Sequence, residues 1–188
     1  SAVGCTAIDV GASTGGFTEY LLLQGASRVY AVDAGSGQLA DKLRHDARVV
    51  SMEKYNARFL SPIDFPVRPT FATMDVSFIS QTLILPALYS VLDARAMLVS
   101  LVKPQFEAGR EAIGKGGVVK SCTARADAIA RVVKAAKTCG FVFCGVTPSP
   151  ISGGDGNKEF LACFSKGGAR PAVENESFAI TRAAGVQR

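Results

Sequence analysis

The chain has 188 residues, a formal net charge of +5, five cysteines and a single histidine. This length is typical of one domain with a substantial core, and we expect neither a membrane span nor a secretion signal, because no long apolar run occurs. The cysteines lack Cys-x-x-Cys spacing and lie mostly in apolar runs, which predicts reduced core residues, a cytoplasmic protein and no metal site. The modest positive charge favours a polyanionic partner such as RNA.

An apolar run followed by a glycine-rich turn opens the chain. Residues 7–10 (AIDV) lead into residues 11–18 (GASTGGFT) and then into an apolar helical stretch. Glycines at such a junction let backbone N–H groups approach a ligand, and the helix N-terminus adds positive charge. The spacing is not Gly-x-Gly-x-x-Gly, which counts against a dinucleotide, whereas an acid before the turn suits a cationic ligand. We therefore predict that S-adenosylmethionine is bound by Asp9, Gly11, Ala12, Ser13, Thr14, Gly15, Gly16 and Phe17.

Strand-like and helix-like patterns alternate along the chain. Strands are predicted at residues 5–10, 28–34, 48–52, 71–76, 96–102, 141–147 and 159–164. Helices are predicted at residues 16–24, 39–44, 81–92 and 123–139, with a short helix at 174–184. The alternation predicts an α/β fold: a seven-stranded, mostly parallel, Rossmann-like sheet of the class I S-adenosylmethionine-dependent methyltransferase type, with helices on both faces and an antiparallel C-terminal hairpin. We assign residues 1–166 to this domain and 167–188 to a tail.

Two residues after the early strands suit the nucleoside part of such a cofactor. Asp33 ends the second predicted strand beside the glycine turn, where a carboxylate can bind ribose hydroxyls. The alternative is a turn acid, because Ala-Gly-Ser-Gly follows it. Asn56 is a candidate for the adenine edge, with Tyr55 or Met52 facing the ring.

Three polar residues flank later strands at the edge where the carboxyl ends of parallel strands meet. Asp75 and Lys103 follow apolar strands, and Glu159 opens the last one. A partly desolvated lysine is a candidate base for a sugar hydroxyl, with the two acids orienting it and the acceptor, while positioning supplies most of the acceleration of methyl transfer. The structural alternatives are a lysine that extends to solvent, a helix-capping aspartate and a surface glutamate.

Several separate strings resemble the TlyA-type ribosomal RNA 2′-O-methyltransferases, a family that also carries the hemolysin label and is related to the FtsJ group. They are DVGASTGGFT (9–18), YAVD (30–33), DVSFIS (75–80), VKPQFE (102–107), GKGGVV (114–119), TPSPI (147–151) and GNKEF (156–160). The resemblance implies a Lys-Asp-Lys-Glu catalytic tetrad whose last three members are Asp75, Lys103 and Glu159, with S-adenosylmethionine as methyl donor. It also implies ribosomal RNA as acceptor, at a cytidine ribose.

Members similar to this chain carry the first tetrad lysine and an S4-type RNA-binding domain ahead of the glycine-turn strand. Neither is in this sequence, so we expect the chain by itself to be impaired in catalysis and to bind RNA weakly.

The glycine-rich segment that follows Lys103 predicts a mobile loop on the substrate side. Arg110, Lys115 and Lys120 are candidate contacts to RNA phosphates, and a solvated loop is the alternative. Two other functions stay open. An NAD-dependent oxidoreductase would need the third glycine of the dinucleotide-binding fingerprint. A non-catalytic RNA-binding protein would not need a desolvated lysine between two acids. A pore-forming protein would need an amphipathic or membrane-spanning element, and we find none in the sequence. The modified nucleotide and the oligomeric state are not predicted.

Overall fold

The computed structural model describes residues 2–154 and 156–186. The outermost residues of the predicted domain and tail, and one residue of the predicted hairpin loop, lie outside the described residues: Ser1, Asp155, Gln187 and Arg188. Within the described part, seven strands form one sheet in the order β3-β2-β1-β4-β5-β7-β6. The strands are β1 (Thr6–Val10), β2 (Arg28–Val32), β3 (Val49–Met52), β4 (Phe71–Met74), β5 (Met97–Val102), β6 (Val142–Pro148) and β7 (Phe160–Ser165).

Strands β1 to β5 pair in parallel, and β7 lies antiparallel between β5 and β6. This arrangement confirms the predicted fold class and all seven strands, whose ends differ from the predicted ones by at most two residues. The largest differences are at β2 and β4, which end before Asp33 and Asp75. At these two positions the chain leaves the sheet and enters the loops that carry the polar residues.

The described residues form six α-helices around the sheet. They are α1 (Gly16–Leu23), α2 (Asp41–Arg44), α3 (Leu85–Val91), α4 (Pro104–Glu107), α5 (Cys122–Cys139) and α6 (Glu176–Ala184). The helix predicted at residues 81–92 is wrong in its first half, which is a separate 3-10 turn at Gln81–Leu83. The reason is Pro86, which lacks an N–H group and is tolerated only in the first turn of a helix, so α3 begins there. Helix α4 was not predicted.

The two faces of the sheet carry separate apolar clusters, as the two-residue period of a strand requires. In β1, Ile8 and Val10 pack on one face with α3, α5 and α6, while Ala7 packs on the other face with α1 and α2. Helix α6 also packs against β6. The five cysteines are free thiols but half-buried, so the prediction of core cysteines was too strong. Cys5, Cys122 and Cys139 lie at the ends of strands or helices, and the other two lie within β6 and β7.

The topology brings the ends of six strands to one edge. Chain order reverses between β1 and β4, since β2 and β3 lie on one side and β4 and β5 on the other. In the antiparallel part, Phe160 pairs with both Val102 and Pro148, so the beginning of β7 lies at the same edge as the end of β5. Ligands of open α/β sheets bind at this kind of reversal, outside the carboxyl ends of the strands.

Candidate active site

A cleft of about 520 Å³ opens at this edge beside the ends of β1, β2 and β4. One wall is the glycine turn after β1, with Gly11 and Ser13, and another is the loop at residues 75–79. Asp33 and Asn56, which are predicted to contact the nucleoside part of the cofactor, also line the cleft. This volume is typical of pockets for ligands of nucleoside size or larger.

Gly11 allows the turn after β1 to pass directly against the loop after β4. Its φ is +84°, and an added Cβ would lie 2.1 Å from the carbonyl oxygen of Asp75. A residue with a side chain would therefore be strained at this position and would also push the two walls of the cleft apart.

Only Gly11 and Ser13 among the predicted turn residues line the cleft. The others do not line it: Ala12, Thr14, Gly15, Gly16 and Phe17. The reason is that the far side of the turn packs on α2. The Thr14 carbonyl accepts a hydrogen bond from the Ala40 N–H at 3.2 Å, and a Cβ on Gly15 would lie 2.1 Å from Leu43 Cδ1.

The structure contradicts the prediction that Asp9 faces the ligand. Its side chain is fully buried and accepts hydrogen bonds from Thr18 Oγ1 at 2.7 Å and Thr73 Oγ1 at 2.9 Å. Burial raises the pKa of Asp9 to about 6, against the lowering effect of these threonines, and the charge of Asp75 adds to the increase. Asp9 therefore links α1 to β4 across β1, on the face of the sheet away from the cleft.

Asp33 lies in the cleft and also closes its turn. Its Oδ2 accepts a hydrogen bond from the Ser13 N–H at 2.8 Å, and its Oδ1 accepts one from the Gly35 N–H at 2.7 Å. Each carboxylate oxygen can accept a second hydrogen bond, so the turn role and a ribose contact are compatible. The ribose role stays a prediction.

Two of the three residues predicted near adenine line the cleft. Tyr55 and Asn56 line the cleft, and Met52 does not. Asn56 Oδ1 accepts a hydrogen bond from the Arg58 N–H at 3.0 Å and so caps the short turn that follows. Burial, together with the hydrogen bond to Asp64, raises the pKa of Tyr55 to about 12, so the phenol keeps its proton.

On the other side of the site, Lys103 turns inward toward Asp75. Its Nζ lies 2.6 Å from Asp75 Oδ1 and donates a hydrogen bond to Ser77 Oγ at 2.9 Å. The lysine side chain is 13% exposed, so it does not extend to solvent. The Asp75 contact is close but lacks the alignment of a hydrogen bond, which leaves the buried Oδ1 atom without a well-directed donor.

Glu159 is buried beside this pair. It accepts a long hydrogen bond from Gln105 Nε2 at 3.4 Å. Burial raises the pKa of Glu159, the nearby Lys103 charge lowers it and the Asp75 charge raises it, with a net increase. The three predicted catalytic residues thus lie within electrostatic reach of one another, and Glu159 is not the surface residue of the alternative hypothesis.

Glu107 is a site residue that the sequence did not reveal. It is 2% exposed, and its carboxylate accepts hydrogen bonds from Ser80 Oγ at 2.6 Å and from the Gln81 N–H at 2.8 Å. Burial raises its pKa in spite of these donors. Helix α4 begins directly after Lys103, so the hydrogen bonds of Glu107 connect the chain next to Lys103 with the loop that follows Asp75. A single acid in a short helix has no sequence signal that separates it from a surface acid.

Phe78 is a second feature that the sequence did not reveal. Its φ is +63°, it is 92% exposed at the cleft, and its ring lies 5.2 Å from that of Phe106. A bulky residue in the left-handed region is energetically unfavourable and is found mainly at functional sites.

The three basic residues predicted to contact RNA lie outside the cleft. Arg110, Lys115 and Lys120 are exposed on the segment between α4 and α5, which starts from the lysine side of the site. Their RNA contacts stay a prediction.

Among residues 2–154 and 156–186, no helix combines the length and apolar character needed to cross a membrane. The same ranges contain no cluster of three or more His, Cys, Asp or Glu side chains able to hold a metal ion. His45 is exposed after α2, with Nδ1 2.8 Å from the Asp41 carbonyl oxygen.

Comparison with known proteins shows the family of the chain. Residues 2–166 match the family model described as FtsJ-like methyltransferase. YqxC of Bacillus subtilis, by name an rRNA methyltransferase, is 52% identical over 155 residues, which are 82% of this chain and 55% of that protein. TlyA of Mycobacterium tuberculosis, by name a 16S/23S rRNA (cytidine-2′-O)-methyltransferase, is 46% identical over 158 residues, which are 84% of this chain and 59% of that protein.

A solved structure of a protein named as a hemolysin, from Streptococcus thermophilus, has the same fold. The TM-score is 0.92 at 47% identity, over 98% of this chain and 66% of that one. The chain spans somewhat more than half the length of the two curated relatives. These matches cover the whole sheet and the cleft, and they confirm the resemblance inferred from the sequence strings: the chain belongs to the FtsJ-like methyltransferase family.

Proposed function

We propose that this chain is the methyltransferase domain of an enzyme that methylates a ribose 2′-hydroxyl of ribosomal RNA, with cytidine as the acceptor nucleoside. The observation that carries the proposal is the half-buried Lys103 side chain, whose amine is held by Asp75 and Ser77 with Glu159 nearby, at the rim of a nucleoside-sized cleft. The names of the two curated relatives support the RNA acceptor. We place the protein in the cytoplasm, because ribosomal RNA is located there.

S-adenosylmethionine is the methyl donor of this family, and the cleft fits it. When bound, it supplies a methyl group on a positively charged sulfur. In our proposal Asp33 accepts hydrogen bonds from its ribose hydroxyls, and Asn56 and Tyr55 contact adenine. Gly11 and Ser13 line the part of the cleft between the residues proposed for the cofactor and those proposed for the acceptor.

On the acceptor side, the neutral form of Lys103 takes the proton of the 2′-hydroxyl, whose oxygen would receive the methyl group while the methyl–sulfur bond of the donor breaks. Asp75 and Ser77 hold the amine in position, and Glu159 contributes a second carboxylate close to it. Most of the acceleration comes from holding the hydroxyl oxygen in line with the methyl group, and proton removal contributes a smaller share.

The surface around the lysine offers contacts for a nucleic acid. The exposed Phe78 ring presents a flat face at the cleft, on which an unstacked base can lie. Arg110, Lys115 and Lys120 provide positive charge for phosphates. We assign residues 1–166 to the catalytic domain and 167–188 to a C-terminal tail.

The cofactor part of the proposal is tested by calorimetric titration of the chain with S-adenosylmethionine and, separately, with NAD. We expect saturable binding of S-adenosylmethionine alone, weakened in Asp33→Ala and unchanged in the control Asp46→Ala, whose carboxylate pairs with Arg48 at the surface. Binding of NAD alone would favour the oxidoreductase hypothesis instead.

The acceptor part is tested with tritiated S-adenosylmethionine and purified ribosomal RNA. A 2′-O-methyl group removes the hydroxyl that alkali needs to cleave the RNA chain, so the label should survive in alkali-resistant dinucleotides. Label that appears in alkali-sensitive mononucleotides would place the methyl group on a base and contradict the proposal.

A further inference from the structure

The segment at residues 109–120 is an exposed, basic connection between α4 and α5. It contains two 3-10 turns, Arg110–Ala112 and Lys115–Gly117, and carries three exposed cations. Among the described residues, none of these cations forms an ion pair with an acid. Unpaired cations on an exposed segment beside the candidate base are suited to bind the phosphates of an acceptor RNA.

One buried side chain from another loop holds this segment. Asn157, which is 1% exposed, lies between β6 and β7. Its Oδ1 accepts a hydrogen bond from the Val119 N–H at 3.0 Å, and its Nδ2 donates one to the Gly117 carbonyl at 3.0 Å. The amide thus joins two loops that lie about forty residues apart in the chain.

The loop that carries Asn157 also fixes the position of Glu159, two residues later. The Asn157 carbonyl accepts a hydrogen bond from the Gly153 N–H at 2.9 Å, and the Glu159 carbonyl accepts one from the Ser149 N–H at 2.8 Å. A Cβ on Gly153 would lie 2.6 Å from Glu159 Oε1, so the loop is packed against the carboxylate. A shift of Asn157 therefore changes the surroundings of Glu159.

We propose that Asn157 is a positioning residue that couples RNA binding on segment 109–120 to the placement of Glu159. The inference rests on the proposed function, because it requires an RNA acceptor. Phosphates that restrain Gly117 and Val119 also restrain Asn157 through its two side-chain hydrogen bonds, and the loop transmits this restraint to Glu159. The coupling is reciprocal, so an ordered Glu159 loop also favours RNA binding.

Hydrogen exchange with and without purified ribosomal RNA tests the coupling directly. In the wild type we expect RNA to slow exchange both in segment 109–120 and in residues 152–162. In Asn157→Ala we expect protection of segment 109–120 alone. Asn175→Ala is the control. Asn175 resembles Asn157 in that its Oδ1 accepts a backbone N–H, that of Phe178, but it lies at the start of α6, away from both loops. It should behave like the wild type.

Activity measurements and a double-mutant cycle separate coupling from a merely structural role. Asn157→Ala should lower kcat roughly tenfold and leave the S-adenosylmethionine Kd within about twofold. In a background of Arg110→Ala, Lys115→Ala and Lys120→Ala, the same substitution should cause no further loss of RNA affinity. Asn157→Asp keeps the acceptor for Val119 but replaces the donor to Gly117 by an oxygen that repels the carbonyl, so it should also lose the coupled protection of residues 152–162, and it serves if the alanine variant does not fold.

The outcomes distinguish this inference from the proposed function. If the wild type binds and methylates RNA but Asn157→Ala and Asn157→Asp retain protection in both segments, or if their effects add to those of the three basic substitutions, the coupling is refuted. If the wild type binds neither S-adenosylmethionine nor ribosomal RNA, the proposed function fails and the inference fails with it.

Discussion

The two halves of the site use their polar residues in opposite ways. On the cofactor side, carboxylates are occupied by groups of the scaffold: Asp33 accepts the backbone N–H groups of Ser13 and Gly35, and Glu53 accepts those of Gln38 and Leu39. These acids stabilise turns, so the shape of the cleft on this side depends mainly on the backbone conformation.

On the acceptor side, polar side chains meet one another instead. Lys103 contacts Asp75 and Ser77, and Glu159 lies within range of their charges. Beyond this group, Phe78 is the most exposed aromatic side chain at the cleft. The difference teaches that substitutions on the cofactor side should act through shape and stability, while those on the acceptor side should act on the chemistry and leave the fold intact.

The largest expected effect on the acceptor side is from Lys103→Ala. In the full-length enzyme that contains this domain, loss of the amine should reduce methyl transfer by roughly 10²- to 10⁴-fold, because general-base catalysis and the pairing with Asp75 are both removed. The S-adenosylmethionine Kd should stay within about twofold by calorimetry. Lys42→Ala, which removes an exposed ion pair with Glu19, is the control and should keep full activity. Equal loss of cofactor binding would break the division between the two halves.

Gly11→Ala is the corresponding change on the cofactor side. The new Cβ combines a left-handed backbone with a 2.1 Å approach to the Asp75 carbonyl oxygen, so we expect a loss of roughly 2–4 kcal/mol in the free energy of unfolding. Gly116→Ala has a similar φ of +81° but nothing within 4 Å, and should lose only about 1–2 kcal/mol. Urea denaturation measures both, and equal losses would show that the contact with Asp75 does not matter.

Phe78→Ala tests whether the exposed ring serves the acceptor alone. We expect ribosomal RNA affinity to fall by roughly 5- to 100-fold, since stacking contributes about 1–3 kcal/mol per base. Cofactor binding and unfolding free energy should change little. Phe59→Ala removes another exposed ring, 69% accessible and outside the cleft, and provides the control for general loss of surface aromatics. Filter binding in matched salt measures the effect, and identical losses in the two variants would contradict a specific role.

The smallest effect concerns pH and the buried Asp9. Its pKa of about 6 lies above the value of 3.8 typical of an exposed aspartate, so the folded state binds the extra proton between these values. Stability from this group is therefore present below about pH 4 and is lost as pH rises through 6, by about 2 kcal/mol between pH 4.5 and 7.5.

Asp9→Asn should abolish this decline, as measured by urea unfolding across the same pH range. Asp46→Asn is the control, because Arg48 lowers the pKa of Asp46 to about 2, and stability from that pair is lost only at more acidic pH. A decline that persists in Asp9→Asn would assign the titration to another group, such as Glu107 or Glu159, whose pKa values are also raised.

Interactions with distant parts of the chain explain the residues that the sequence misassigned. Asp9 precedes a glycine turn in a position that suits a ligand, but strand alternation directs its side chain to the opposite face, where Thr18 and Thr73 enclose it. Glu107 and Asn157 lie in two of the family strings, but the strings do not show their roles, since their hydrogen-bond partners come from loops twenty-six or more residues away.

The sequence by itself determined the seven strands, the glycine turn, the order of the polar residues along the chain and the family. These features depend on local patterns: apolar periodicity, the turn preference of glycine and short strings of side chains. The tertiary structure alone decided which residues face the cleft, that Lys103 points to Asp75, that Phe78 adopts a left-handed conformation, and that Asn157 joins two loops. Each of these depends on burial and on contacts between segments remote in the chain, and no local pattern of residues encodes them.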